Sequence, residues 1–521
     1  MGLDDFRQQR CRSDADCSRA QTAFGDAERC DFYVCQQGAC VPQHGTGAET
    51  CNGEDDDCNG LIDDGVTVIP RALTGTSSPD AVMAYAFSPS GAPAAYVVGG
   101  VPIDDGERGV HLTVVNGTVQ GPAEPLVYAS AAMARSQQPC PVNTVSAGVG
   151  ASACRFDEVA LGADQEQLVY ATINTVGCGK GQLRVGLAAA SDPFRIWLGS
   201  SPAGAAPKSD LEVGVDVGDG SCSGNSVLDE NGVAAGARSP AVAVLDASPG
   251  GAGALVTWLA TEFSAVPLAS CETPVEVPVP VRALAVMVPE DAREADERWL
   301  IGSDGGIPVE IGQSSSLRPP AVVGLEAQAG SGRYLVAFPS TTGDAEGLAL
   351  VFLALEGGHV SIEKEPFIED EQPDLVALSS GTSDGTVALA WRSGCGPTSE
   401  LKLLLLSAEG SPLDGYPLSL GTGDIVSRPQ LLHASDGFTT QGKRGGWYVS
   451  WSEQLEGVGR TRLARLSDEP SPVRPEIFTV TSGALGFPLL FPGEDSMVNQ
   501  GLVTITNTEA PDIRVFAGWC Q

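Results

Sequence analysis

PDLVALSS at 373–380, TVALAW at 386–391 and LKLLLLSA at 401–408 are three successive short apolar runs, separated by Gly, Ser, Asp and Pro, and the same order recurs along the chain. Runs of this length bounded by turn residues read as strands rather than helices. The first run opens at a proline and has counterparts in PDAVMAYA (79–86), PAVAVLDA (240–247), PAVVGLEA (320–327) and PQLLHASD (429–436). The second ends on or near an aromatic residue: Tyr170, Trp258, Phe338, Trp391 and Trp451 close EQLVYA, GALVTW, RYLVAF, TVALAW and GWYVSW. The third recurs as QLRVGLAA (182–189), RALAVMVP (282–289), LALVFLAL (348–355) and TRLARLSD (461–468), often before a turn such as EGG or EGS.

With a fourth strand after that turn, each set is a four-stranded antiparallel unit, and six such units start near 79, 157, 240, 320, 373 and 429. A strand repeat of roughly fifty to eighty residues is the pattern of propeller blades, because one blade cannot bury its faces without neighbours. A linear array of sheets is the alternative. The chain ends decide between them: FPLLFPGE, GLVTITNT and DIRVFAGW, within 487–519, supply three strands without a fourth, and VTVIPRAL at 66–73 is a strand without a blade. Joining the two removes exposed sheet edges. The expected fold is therefore all-β, a seven-bladed β-propeller over 66–521 whose last blade is completed by 66–73, with six or eight blades as the nearest alternatives. The aromatic at the end of the second strand is expected in the core between blades.

Composition agrees with a turn-rich β protein: 64 glycines and 36 prolines, with 42% hydrophobic and only 18% charged residues in 521. That is too apolar for disorder. No uninterrupted apolar run is long enough to span a membrane as a helix. A net charge of −36, from 66 acidic against 30 basic residues, repels phosphate and argues against nucleic acid as a partner.

The fourteen cysteines read as disulfides rather than zinc ligands, because they are scattered through turn-like sequence. Seven lie before residue 60: Cys11, Cys17, Cys30, Cys35, Cys40, Cys51 and Cys58. So short a segment cannot bury an adequate core, and cross-links replace burial. Residues 1–48 are read as a cysteine-rich disulfide module, similar to small cysteine repeats of extracellular bacterial proteins. Cys140 and Cys154 are expected to staple one loop of the repeat domain, and Cys520 is free to pair with the cysteine left over in the N-terminal module. Disulfides on this scale imply an extracellular or outer-surface location. The opening Met1-Gly2-Leu3-Asp4-Asp5-Phe6 has no apolar signal region, which implies a trimmed signal peptide and leaves room for a lipid anchor.

The segment with specific chemistry is 49–65. Asp55, Asp57 and Asn59 place oxygen ligands at alternate positions, Gly60 permits a sharp turn, Leu61 offers a backbone carbonyl, and Asp63 and Asp64 follow. Hard oxygens spaced in this way wrap a hard cation, and Ca²⁺ is the expected ion. Val66 stands where a bidentate glutamate would complete such a loop, so the affinity is expected to be modest, roughly 10⁻⁴ to 10⁻³ M. A disulfide between Cys51 and Cys58 would hold the like-charged carboxylates together. An acidic disulfide turn without an ion is the alternative. From Glu49 through Cys51, Asn52, Gly53, Asp55, Asp56, Asp57, Cys58, Asn59 and Gly60 to Asp63, the segment resembles the metal-binding repeat of the MopE family. That resemblance implies a large secreted or surface protein of myxobacterial type.

Nothing else in the sequence declares a reaction. His44, His111, His359 and His433 are far apart, and no nucleophile elbow, Walker loop or dinucleotide fingerprint is present. Ser303-Asp304-Gly305-Gly306 and Ser383-Asp384-Gly385-Thr386 read as tight turns, and 216–230, with Asp219 and Asp229, as a solvated acidic insertion. The leading expectation is a non-enzymatic, monomeric binding or scaffold protein whose partner is a protein or polysaccharide of the cell envelope. The alternative is an extracellular carbohydrate-active propeller, a lyase or hydrolase, using channel carboxylates; a third reading is a stable spacer in an envelope assembly.

Overall fold

The computed structural model describes strands between residues 31 and 517. Side chains are described chiefly over 160–164, 167–171, 237–248, 250–261, 278–287, 308–343, 345–381, 385–413, 415–433, 446–454 and 458–466. The acidic loop 49–65 lies outside the described residues, as do Cys140, Cys154, Cys520 and all of 1–48 except Arg12 and the hairpin described next.

That hairpin pairs Asp31–Gln36 with Ala39–His44, with Cys35 opposite Cys40 in register and Gln37 in the left-handed region at φ 51°. Cys35 is disulfide-bonded, and so is Cys395 in the repeat region.

The remaining described strands form seven antiparallel sheets of four or five strands. Their first strands, in chain order, are Val82–Phe87, Glu158–Ala163, Arg238–Asp246, Ala321–Gln328, Asp374–Ser380, Gln430–Ala434 (preceded in its sheet by the two-residue strand Asp424–Ile425) and Gly486–Phe491. The fold is all-β and propeller-like; among the described residues the only helical element is the single 3-10 turn Gly396–Thr398. Each first strand lies beside the first strand of the next sheet, and Gly486–Phe491 neighbours Val82–Phe87. The seventh sheet orders Gly486–Phe491, Gly501–Thr506 and Ile513–Ala517, followed by Arg71–Leu73, which pairs with Ile513–Ala517. Strands from two distant parts of the chain thus share one sheet.

Sheets packed side by side bury both faces, and the alternation of side chains along a strand serves two interfaces at once. In Val387–Ser393, Val387, Leu389 and Trp391 face the fourth sheet's Leu335, Leu350 and Phe352, whereas Ala388 and Ala390 face Trp447, Val449 and Trp451 of the sixth. Ser331–Thr342 repeats the arrangement: Tyr334, Val336 and Phe338 meet the third sheet, and Leu335 and Ala337 the fifth. On the face toward the sixth sheet the small Ala388 and Ala390 leave room for Trp447 and Trp451, as close packing requires. Trp258, Phe338, Trp391 and Trp451 all belong to these inter-sheet clusters. Tyr334 adds a polar tie, its hydroxyl donating to the Gly253 carbonyl of the third sheet at 2.9 Å.

Turn chemistry sets the register. Gly357 and Gly358, at φ 55° and 86°, join Ala345–Glu356 to His359–Lys364, and two successive positive φ values define the tight hairpin turn that glycine adopts without strain. At Gly324, in a first strand, glycine answers a packing demand. A Cβ there would lie 2.3 Å from Leu245 of the preceding sheet.

Candidate functional site

The strand Asp374–Ser380 opens with a register shift between Asp374 and Ala377. Gln372 and Leu375, which bracket Pro373 and Asp374, hold left-handed backbone at φ 42° and 53°. Non-glycine residues in this region cost roughly 1–3 kcal/mol each and persist where their surroundings over-determine them.

What surrounds Asp374 is a set of arginines from the fourth, fifth and sixth sheets or the segments that enter them. Arg392 is its cross-strand partner in register and donates from Nη2 to Oδ2 at 2.9 Å. Arg318, just before the fourth sheet, places Nε 3.7 Å from the same oxygen, and Ser316 Oγ donates to Oδ1 at 3.1 Å. Arg392 Nη1 donates to the Ile425 carbonyl at 2.8 Å. Arg428, between the strands Asp424–Ile425 and Gln430–Ala434 of the sixth sheet, donates from Nε to the Val376 carbonyl at 2.6 Å and from Nη2 to the Pro320 carbonyl at 3.2 Å. It thereby reaches past the fifth sheet to the fourth, which is possible only on the side that the first strands share.

The cluster is rich in positive charge. Desolvation pushes the Arg428 guanidinium down to about 10, with Arg318 repelling it and Asp374 opposing the shift. Arg392 is also lowered, first by desolvation, with Arg318 acting in the same direction and Asp374 and Asp424 against it. Both remain cations at neutral pH. The Nε–H groups of Arg318 and Arg392 are buried without a hydrogen-bond acceptor among the described residues.

A second polar cluster ties the fourth sheet to the fifth. Asp370 accepts from Trp391 Nε1, from Ser393 Oγ at 2.7 Å and from Lys402 Nζ at 2.8 Å. Burial pushes its carboxyl up, but the hydrogen bonds from Lys402, Ser393 and Trp391 outweigh burial and hold it below its ordinary 3.8. A lowered folded pKa means that the stability from Asp370 is present above the unfolded value and is lost as pH falls through the folded one. Asp370→Asn should therefore cost about 1.5–3 kcal/mol at neutral pH, and less below about pH 4. Unfolding curves across pH check this; an equal loss at every pH would remove the charge from the account.

Apart from Trp391, whose place at the end of a second strand was expected in the core, none of these residues is named by the sequence reading. The signals that could have found them are an arginine before the proline that opens a first strand, in Arg318-Pro319 and Arg428-Pro429, and the pairing of Asp374 with Arg392 across adjacent strands. The expected metal ligands Asp55, Asp57, Asn59, Leu61, Asp63 and Asp64 lie outside the described residues, with Cys51, Cys58, Cys140 and Cys154. Among the described residues no group of His, Cys, Asp or Glu is arranged to hold a metal ion, and no helix is long and apolar enough to cross a membrane. Of the two tight turns, Gly385 is described and has φ 74°, while 303–306 lie outside.

No protein-family model and no curated protein sequence matches the chain. Similar solved structures include an endo-arabinase from Bacteroides thetaiotaomicron, 13% identical over 54% of this chain and 93% of that one, with a TM-score of 0.28. An exo-β-1,3-galactanase from Phanerochaete chrysosporium is 10% identical over 56% and 62%, with a TM-score of 0.29. The Nup133 β-propeller domain of Vanderwaltozyma polyspora is 8% identical over 69% and 99%, with a TM-score of 0.27. At these scores the likeness specifies no activity for this chain. Two of the three are nevertheless enzymes by name, and the expectation of a protein without catalysis is corrected on that finding. The physical reason is visible in the arginine cluster: sites here assemble from strands far apart in sequence, so the lack of a local catalytic motif excluded nothing.

Proposed function

We propose that the protein is an extracellular carbohydrate-active enzyme, a lyase or a hydrolase, built on a seven-bladed propeller closed by Arg71–Leu73. The return of the first strands from Gly486–Phe491 to Val82–Phe87 supports closure, as does the pairing of Arg71–Leu73 with Ile513–Ala517. The observation that carries the functional reading is the convergence of Asp374, Arg318, Arg392 and Arg428 where the first strands begin, on backbone held left-handed at Gln372 and Leu375. Convergent, fixed polar groups of this kind orient a sugar chain, and hydrolysis would use in addition a pair of carboxylates flanking the scissile bond.

The N-terminal acidic loop enters this proposal as a calcium-stabilised element of a MopE-like module on a secreted or surface protein, with envelope polysaccharide as the partner. The ion is assigned a structural role. The test is incubation of the oxidised, full-length protein with neutral and acidic polysaccharides, with millimolar Ca²⁺ and with chelator. New reducing ends report cleavage, and unsaturated sugars report a lyase. Cleavage of at least one polymer is expected, with chelator lowering the unfolding temperature. Folded protein that cleaves none overturns the catalytic reading, and unfolding that ignores chelator overturns the ion.

A further inference from the structure

We propose that Arg318, Arg392 and Arg428 form a subsite for the carboxylate of an acidic sugar, which makes the substrate a uronate-bearing polysaccharide. The inference rests on the reading that a glycan reaches this surface. Within the cluster, three guanidiniums surround the carboxylate of Asp374, with Asp424 acting on Arg392. A single positive charge is left over, and one carboxylate would balance it.

Arg318 is the group that would receive the ligand. Its side chain is 26% exposed, its one ion pair is the 3.7 Å approach to Asp374, and its terminal nitrogens carry no hydrogen bond among the described residues. A planar guanidinium fork matches a planar carboxylate with two parallel hydrogen bonds. Arg392 and Arg428 are instead committed through their own Nη or Nε groups to Asp374 and to the Ile425, Val376 and Pro320 carbonyls. They supply fixed positive potential behind Arg318.

The net charge of −36 sets the selectivity. A Debye length of about 8 Å at physiological ionic strength screens the distant surface acids, whereas partly buried guanidiniums are screened much less. One uronate at a time is attracted at short range. A densely sulfated polymer would bring many charges against the acidic surface.

The experiment is calorimetric titration of the full-length protein with a galacturonate oligomer, its methyl-esterified counterpart and a sulfated oligosaccharide. The free acid should bind about tenfold more tightly than the ester, since charge-assisted bonds are roughly twice as strong as neutral ones. Arg318→Gln should abolish that preference and Arg318→Lys restore only part of it. Arg333→Gln changes net charge equally but should preserve the preference, because that arginine pairs with Glu363 at the other end of the fourth sheet's first hairpin. Equal binding of acid and ester, tighter binding of the sulfated oligomer, or no binding at all overturns the subsite. Arg318-dependent binding without cleavage of any polymer would leave the subsite standing and sink the enzyme. Cleavage of neutral glycans that is indifferent to Arg318→Gln would do the reverse.

Discussion

Trp391→Ala is expected to destabilise the fold by about 3–5 kcal/mol, the range for truncating a large buried aromatic side chain. Trp391 is 1% exposed and fills the space between the fourth and fifth sheets against Leu335, Leu350, Phe352 and Leu404. Removing the indole opens a cavity whose walls are strands and cannot collapse into it. It also takes one donor from Asp370, which then relies on Ser393 and Lys402. Trp391→Phe separates the two effects: most of the burial remains, and the loss of a hydrogen bond to a carboxylate should cost about 1.5–3 kcal/mol. Chemical denaturation of the three proteins, followed by tryptophan fluorescence and by circular dichroism, is the measurement. A loss below about 1 kcal/mol for the alanine variant would mean that this side chain is not core, against the scale for buried aromatics.

Asp374→Ala is the second large effect, also about 3–5 kcal/mol, because it removes the carboxylate and leaves buried cations facing one another. Arg392 is 6% exposed at its side chain, and Arg318 repels both it and Arg428, each of which Asp374 stabilises. Asp374→Asn keeps the shape and an acceptor but not the charge. It should lie closer to the alanine variant than to the parent if charge dominates. A double variant, Asp374→Leu with Arg392→Leu, removes both members of the pair and should recover part of the loss, since two apolar residues carry no desolvation cost. Added salt should narrow the gap between Asp374→Ala and the parent by supplying anions to the cluster. If the single alanine variant costs no more than an exposed ion pair, about 0–1 kcal/mol, the network does not hold these strands.

The strands read from sequence lie close to the observed elements. The run at 373–380 is the strand Asp374–Ser380, 386–391 falls on Val387–Ser393, and 401–408 on Glu400–Leu406. Local rules suffice here. Proline opens a strand without breaking a ladder, glycine and serine close it, and apolar side chains fill the interior. The aromatic at the end of the second strand was also legible, because a side chain of that size at a recurring position needs a recurring interface. Which sheet it faces was not. Trp391 and Ala390 are neighbours in sequence but serve opposite interfaces, and only the packing of three sheets in succession distinguishes them.

The candidate site was less legible still. Arg318, Asp374, Arg392 and Arg428 span more than a hundred residues and belong to no motif, whereas the acidic loop at 49–65 carries its ligands on nearby residues and could be read directly. The expectation of no catalysis has the same origin, since a search for local signatures cannot detect groups that converge from separate strands.

Short-range interactions along the chain were thus enough to establish an all-β protein, the order and approximate limits of its strands, the turns between them, and a cysteine-rich start with an acidic loop. Packing in three dimensions selected which strands pair across long separations, as Arg71–Leu73 does with Ile513–Ala517, and which charges meet, as Arg428 does with the carbonyls of Val376 and Pro320. The division follows from the physics. Hydrogen-bonding preference and side-chain alternation act over a few residues, whereas burial and electrostatic convergence depend on distances in space that chain separation does not set.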